Sequence, residues 1–145
     1  MFRGRSRHTL DDKGRLAIPA RFKDALKLKD ESCLVVTNHI DCLWAFAKDD
    51  WRVIESQVAS LSLMDPAVKS YRRVFISGAQ ECHIKQGRIT LPPDLRDIAG
   101  LNKEIMVVGE LNLFEIWDKE RWDKEFQREM EKFNEAGPSL SEFGI

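Results

Sequence analysis

The chain has 145 residues, 43% apolar and 32% charged, with a net charge of −1. That length suits one domain or two very small ones with a real core, and four Trp and eight Phe exclude a disordered chain. No apolar run reaches the roughly 18–20 residues of a membrane helix, and the opening MFRGRSRHTLDDKGR has no apolar stretch of the secretory kind. Cys33, Cys42 and Cys82, without CxxC spacing, fit a reducing cytoplasm rather than a disulfide framework or zinc knuckle.

The first predicted element is an extended segment in which Arg3, Arg5 and Arg7 alternate and so share one face. Like charges stacked this way repel unless an anion or carboxylates lie opposite. Two readings are open: an edge strand kept soluble by charge, or a face that tracks phosphates. A turn at Asp12-Lys13-Gly14 follows, its glycine suited to positive φ, and then a strand at Leu16-Ala17-Ile18. Pro19 cannot continue a ladder but fits the first turn of a helix, expected over residues 19–26. Strands over 33–37 and 42–47 precede a helix on which Trp51, Ile54, Val58 and Leu61 recur at helical spacing, with Asp50 placed to cap it. A bridging helix begins with Asp65 as cap and Pro66 in its first turn, and carries Val68, Tyr71 and Phe75 on one face.

The series then returns. Lys85-Gln86-Gly87 makes a turn, Ile89-Thr90-Leu91 a strand, and 93–99 a short helix. Strands over 104–109 and 113–117 lead to a closing helix with Trp122, Phe126, Met130 and Phe133 on one face and Asp118 as its cap. Glu120 and Lys124 form an i,i+4 pair outside. Gly137-Pro138 ends that helix and leaves 139–145 as a tail.

Laid over one another, KGRLAIPARFKDAL (13–26) matches QGRITLPPDLRDIA (86–99) at a spacing of 73, and LVVTNHIDCLWAFAKDDW (34–51) matches IMVVGELNLFEIWDKERW (105–122) at 71. Charge repeats as well: +5 over 1–30, −4 over 31–65, +4 over 66–96, −1 over 97–109 and −5 over 110–145. A period of this length occurring twice makes one duplicated unit with pseudo-two-fold symmetry rather than a solenoid. The expected organisation is a first repeat over 1–64, a bridge over 65–78, a second repeat over 79–136 and a tail over 137–145.

Catalytic options are poor. His8, His39 and His83 are scattered, and HxxxH, GxSxG and Walker patterns are absent. Cys82 and His83, adjacent on a strand, point to opposite faces and lack further ligands, so no metal or cofactor is expected there. The carboxylate-rich last helix reads as a solvated face. Arg15 and Arg88 are more informative, because each follows a turn glycine (Gly14, Gly87) at an equivalent place, with Lys13 and Lys85 beside them. Paired basic hairpins can meet successive phosphates or enter a groove, where Arg forks onto guanine O6 and N7. The alternative is an arginine paired to a nearby carboxylate such as Asp11, and spacing does not choose between them.

FRGRSRHTLDDKGRLAIPARF (2–22) closely resembles the opening signature of the MraZ family of bacterial transcriptional regulators, built from two SpoVT/AbrB-type swapped-hairpin domains. The resemblance covers nearly the whole chain, including both Gly-Arg hairpins and the Trp-bearing helices. Asp11-Asp12-Lys13-Gly14-Arg15 carries the family's D-x-x-x-R marker in full, whereas Ile84-Lys85-Gln86-Gly87-Arg88 sets Ile84 in place of the aspartate. That departure bears on how the second hairpin is oriented and whether the halves bind alike. The resemblance implies an α+β fold, a duplicated swapped-hairpin β-barrel core surrounded by helices. It also implies a ring-shaped homo-oligomer, octamer-like, that presents its basic hairpins to tandem short repeats in double-stranded DNA. Members bind upstream of the division and cell-wall operon containing their own gene, usually repressing it, which implies a cytoplasmic, nucleoid-associated protein with no membrane contact. The DNA-binding candidates are then Arg15, Lys13, Gly14, Arg88, Lys85 and Gly87, with the Arg3, Arg5 and Arg7 face neutralising phosphates and Asp11 orienting Arg15. Two rival classes stand beside this: an antitoxin-like or scaffolding interaction module, and an enzyme with an acidic metal site.

Overall fold

A computed structural model of the chain, describing residues 1–27 and 32–145, shows the two copies interleaved rather than side by side. The first copy contributes β1 (Arg5–Thr9), β2 (Arg15–Ala17), α1 (Ala20–Lys27), β3 (Cys33–His39), β4 (Cys42–Ala47) and α2 (Lys48–Ala59). A bridge of α3 (Pro66–Tyr71) and a π-helical turn (Arg72–Ile76) leads to β5 (Gln80–His83), β6 (Arg88–Thr90), α4 (Pro93–Ile98), β7 (Glu104–Gly109) and β8 (Leu113–Asp118). The chain closes with α5 (Lys119–Glu135) and α6 (Gly137–Ser141).

Six strands form one antiparallel sheet in the order β1-β7-β8-β4-β3-β5, and β2 pairs with β6 in a separate ribbon. The order reads the same when the copies are exchanged. Leu16 lies opposite Ile89 in the ribbon and Trp44 opposite Glu115 in the sheet, each residue facing its own counterpart. The pseudo-two-fold axis therefore passes through both pairs. Each opening strand leaves its own copy, β1 joining β7 and β5 joining β3. The fold is α+β, with a duplicated, exchanged-hairpin core. The sheet edges, β1 and β5, each turn directly into a ribbon strand, so the ribbon spans the space between them and closes the interior.

Strand alternation divides the apolar residues between two faces. Leu34, Val36, Leu43, Ala45, Ile105, Val107, Phe114 and Ile116 point inward against Leu16, Ile18, Ile89 and Leu91 of the ribbon region. Phe22 and Leu26 of α1 and Leu95 of α4 close the same interior. On the outer face Val35, Phe46 and Leu113 pack with Trp51 of α2 and Phe75 of the bridge, and Val108 and Trp117 pack under Trp122 of α5. Each fully buried side chain of this size contributes about 1.5–3 kcal/mol.

Three local expectations are corrected. Asp50 lies inside the first turn of α2, whose N-cap is Ala47 with no side-chain bond. At the spacing of 71, Ala47 is the counterpart of Asp118, which does cap α5 by accepting from the Arg121 backbone N–H and also takes the Asn102 N–H at 3.0 Å. The carboxylate cap therefore exists in one copy only. The bridging helix is capped by Asp65, which accepts from the Ala67 N–H at 2.8 Å, but it does not run unbroken to Phe75. It widens at Arg72 into the π-helical turn, where the Phe75 carbonyl accepts from Thr37 Oγ1 at 2.5 Å and the Val74 carbonyl from Asn38 Nδ2 at 3.1 Å. Thr37 and Asn38 are buried, and these bonds satisfy them. After Gly137 the expected tail winds one further short helix, α6.

Candidate nucleic-acid interface

The two hairpin turns are built differently. In the first, the Asp11 N–H donates to the Arg15 carbonyl at 3.2 Å and the Gly14 N–H to the Asp11 carbonyl at 2.9 Å, around a three-residue loop ending on Gly14 at φ +79°. This is a type I turn closed by a glycine bulge. In the second, Lys85 and Arg88 exchange both backbone bonds, at 2.8 and 3.0 Å, across Gln86 and Gly87 with φ of +52° and +74°. That is a two-residue type I′ turn, one residue shorter.

The shorter turn changes the correspondence between the copies. The Leu10 N–H donates to the Lys103 carbonyl and the Ile84 N–H to the Ser32 carbonyl, and those acceptors are 71 apart. Ile84 is thus the counterpart of Leu10, packed against the core, and does not replace the aspartate. Lys85 occupies the place of Asp11.

Gln86 holds a conformation that costs an L-residue about 1–2 kcal/mol, of which glycine recovers all but its own entropy loss. Gln86→Gly is expected to stabilise the fold by about 0.5–1 kcal/mol, read from the urea midpoint. A lower midpoint would mean that the glutamine side chain supports the turn.

Between the turns the ribbon presents a narrow outward face. Arg15 lies opposite Thr90 and Ala17 opposite Arg88, with Leu16 and Ile89 buried behind them. The two arginines therefore stand at opposite corners of a patch whose other members are small. Asp11 organises it. Its carboxylate accepts from the Lys13 N–H at 3.0 Å, the Arg15 N–H at 2.8 Å and Arg15 Nε at 2.6 Å, while Arg88 Nη1 lies 3.9 Å away. The Arg15 backbone N–H, then the Arg15 guanidinium and the Lys13 N–H, hold the Asp11 carboxyl below the usual carboxylate range. Asp11 stays ionised through neutral pH.

Arg15 keeps an open edge beside its carboxylate partner. It is paired to Asp11, yet its side chain is 40% exposed and the pairing uses Nε, leaving its terminal Nη groups without a protein partner among the described residues. Arg88 is 39% exposed and shares the same carboxylate from a greater distance. Lys13 and Lys85 are exposed at the tips.

Two cations escaped the sequence reading. Lys23 of α1 and Arg96 of α4 are counterparts at the spacing of 73, and each lies over the turn glycine of the other copy. A Cβ on Gly14 would come within 2.8 Å of Arg96 Cζ, and one on Gly87 within 2.9 Å of Lys23 Nζ. Both glycines thus combine positive φ with close approach of a basic side chain. The available signal was the coincidence of Lys23 and Arg96 in the ungapped match.

The Arg3, Arg5 and Arg7 strip is largely engaged within the molecule. Arg7 Nη2 bonds Glu104 Oε1 at 2.8 Å, and the Arg5 guanidinium lies 4.7 Å from the Phe126 ring centroid. Glu104 is the opposing carboxylate that stacked arginines require. Arg3 is exposed, and its carbonyl accepts from Arg21 Nε at 2.8 Å.

No helix among the described residues is long and apolar enough to cross a membrane. The sequence matches the family model of the MraZ protein, described as antitoxin-like, over residues 1–74 and again over 75–139. It is 37% identical over 147 residues to a transcriptional regulator MraZ of Natranaerobius thermophilus and 40% identical over 152 residues to that of Pseudoalteromonas translucida, with the full length of both chains covered in each case. A transcriptional regulator MraZ of Shewanella frigidimarina is 41% identical over 128 residues, covering 86% of this chain and 84% of its own.

Proposed function

Because the chain belongs to the MraZ family of transcriptional regulators, which are not enzymes, we propose that it binds tandem promoter repeats in double-stranded DNA. It does so as a ring-shaped homo-oligomer on the nucleoid and represses the division and cell-wall operon containing its own gene. The observation that carries this reading is the ribbon, where Arg15 and Arg88 share one outward face and one carboxylate. A two-stranded ribbon fits the major groove, where an arginine held at Nε still offers a fork to guanine.

In this proposal Arg15 and Arg88 meet the DNA first, with Gly14 and Gly87 letting the backbone turn at the tips. Lys13, Lys85, Lys23, Arg96 and Arg3 neutralise phosphates, while Arg5 and Arg7 brace the strand. Asp11 holds Arg15 rather than touching a base. One subunit offers a single small ribbon, so affinity comes from several subunits engaging several repeats at once. Repeat spacing then matters as much as repeat sequence.

The test is binding to a labelled duplex from upstream of the gene, over a salt series, beside a scrambled duplex. Expected are a linear fall of log affinity with log salt and a preference for the authentic duplex of at least about 10³. Equal, weak binding to both duplexes would replace DNA reading by the antitoxin-like interaction module.

A further inference from the structure

We propose that Cys33, Glu81 and His83 bind a divalent transition ion of the zinc class, clamping the edge strand β5 to β3. Cys33 and His83 face each other across the two strands, and Glu81 lies two residues along β5 on the same face. Their ligand atoms all lie within 4.8 Å of one another. Donors around one tetrahedral Zn²⁺ are separated by roughly 3.3–3.6 Å, so closing the set asks each ligand atom to move inward by about an ångström or less. Thiolate, imidazole and carboxylate together suit Zn²⁺ and leave a fourth position for water. Mg²⁺ and Ca²⁺ prefer all-oxygen sites and fit poorly.

The pseudo-symmetry supplies an independent reason to expect a clamp here. Superposing the paired strands makes Arg7 the counterpart of Glu81, Glu104 of Cys33 and Thr9 of His83. In the first copy that place is fastened by the Arg7–Glu104 ion pair at 2.8 Å, which ties β1 to β7 below the first hairpin. In the second copy the arginine has become a carboxylate and the glutamate a thiol, two groups that cannot pair with each other when ionised. A dication restores the link, with His83 as third ligand. Lys48 Nζ lies 3.3 Å from Glu81 and gives up that contact when the ion binds. Cys82 points into the interior and Cys42 lies on β4 beneath Trp117, so neither shares the site.

The experiment is a Co²⁺ titration of the full-length, reduced and chelator-treated protein, followed by displacement with Zn²⁺. Expected is a thiolate-to-cobalt charge-transfer band saturating at one ion per chain and bleached by Zn²⁺. Cys33→Ser abolishes the band, while Cys42→Ser and Cys82→Ser retain it. Glu81→Gln and His83→Ala, at exposed positions where folding is not in question, each weaken Co²⁺ binding at least about tenfold. The proposal is overturned if the wild-type protein gives no such band, if the band survives Cys33→Ser, or if Glu81→Gln and His83→Ala bind Co²⁺ as the wild type does.

Discussion

Replacing Arg15 by alanine is expected to lower affinity for the authentic duplex about 10- to 100-fold while leaving binding to a scrambled duplex nearly unchanged. A bidentate arginine contact to a base discriminates by about 1–3 kcal/mol, and non-specific binding does not use it. The fold should survive, because Asp11 keeps the backbone N–H groups of Lys13 and Arg15 when the guanidinium is gone. Arg88→Ala is expected to cost less. Arg15 is fixed to Asp11 at 2.6 Å by a turn that also ties its backbone, whereas Arg88 reaches the same carboxylate only at 3.9 Å, from a turn carrying lysine in the aspartate's place. A preorganised side chain loses less entropy on binding than one that must be ordered at the interface. Lys13→Ala should behave differently again, weakening both duplexes alike and reducing the salt slope by about one. Equal losses for Arg15→Ala and Arg88→Ala would show that Asp11 does not set the difference. Loss on the scrambled duplex as large as on the authentic one would make Arg15 a phosphate contact.

Much of this arrangement was legible because the duplication is literal where it matters most. Gly14 and Gly87, Arg15 and Arg88, and Pro19 and Pro92 coincide without a gap, and that coincidence located both turns and both arginines. What stayed hidden has physical causes. Periodicity tells which face of a strand is apolar, but not which copy supplies its partner. Thr9 pairs with Glu104 and Leu16 with Ile89, and no local pattern encodes either. Charge repulsion requires a carboxylate opposite the arginines, yet Glu104 lies 97 residues beyond Arg7, and the Phe126 ring that meets Arg5 belongs to the last long helix. Sequence matching sets Ile84 beside the aspartate because a one-residue difference between two tight turns leaves no mark in so short a match. Only the hydrogen bonds of Leu10 and Ile84 reveal it. Asp50 is not a cap because the helix starts two residues before it, at Lys48, which sets Asp49 and Asp50 inside its first turn and leaves Ala47 at the cap. The Cys33–His83 approach was invisible for the same reason as the strand exchange, since the ligands come from strands 50 residues apart.

The largest loss of stability is expected from Phe114→Ala. Phe114 of β8, Phe22 of α1 and Phe2 near the N-terminus form a triangle with ring centroids 5.0–5.2 Å apart, two of its edges T-shaped. Such pairs are favourable beyond the area they bury, and here they join the second copy's last strand to the first copy's helix and opening segment. Phe2 is further tied by backbone bonds with Leu111 at 2.7 and 2.8 Å. Removing the ring leaves a cavity that three elements cannot collapse together, so about 3–5 kcal/mol should be lost. For a chain of this size that lowers the thermal midpoint by roughly 10 °C. The counterparts of Phe114 and Phe22 are Leu43 and Leu95, so Leu43→Ala tests the same layer in the other copy and should cost less, about 2–4 kcal/mol. The triangle faces the interior, while Arg15 and Arg88 stand on the outward face of the ribbon. Phe114→Ala protein held well below its midpoint should therefore bind the authentic duplex with near wild-type affinity. A midpoint unchanged within about 2 °C would mean the triangle is not a joint between the copies. Normal stability with lost DNA binding would mean that interior packing sets the position of the ribbon.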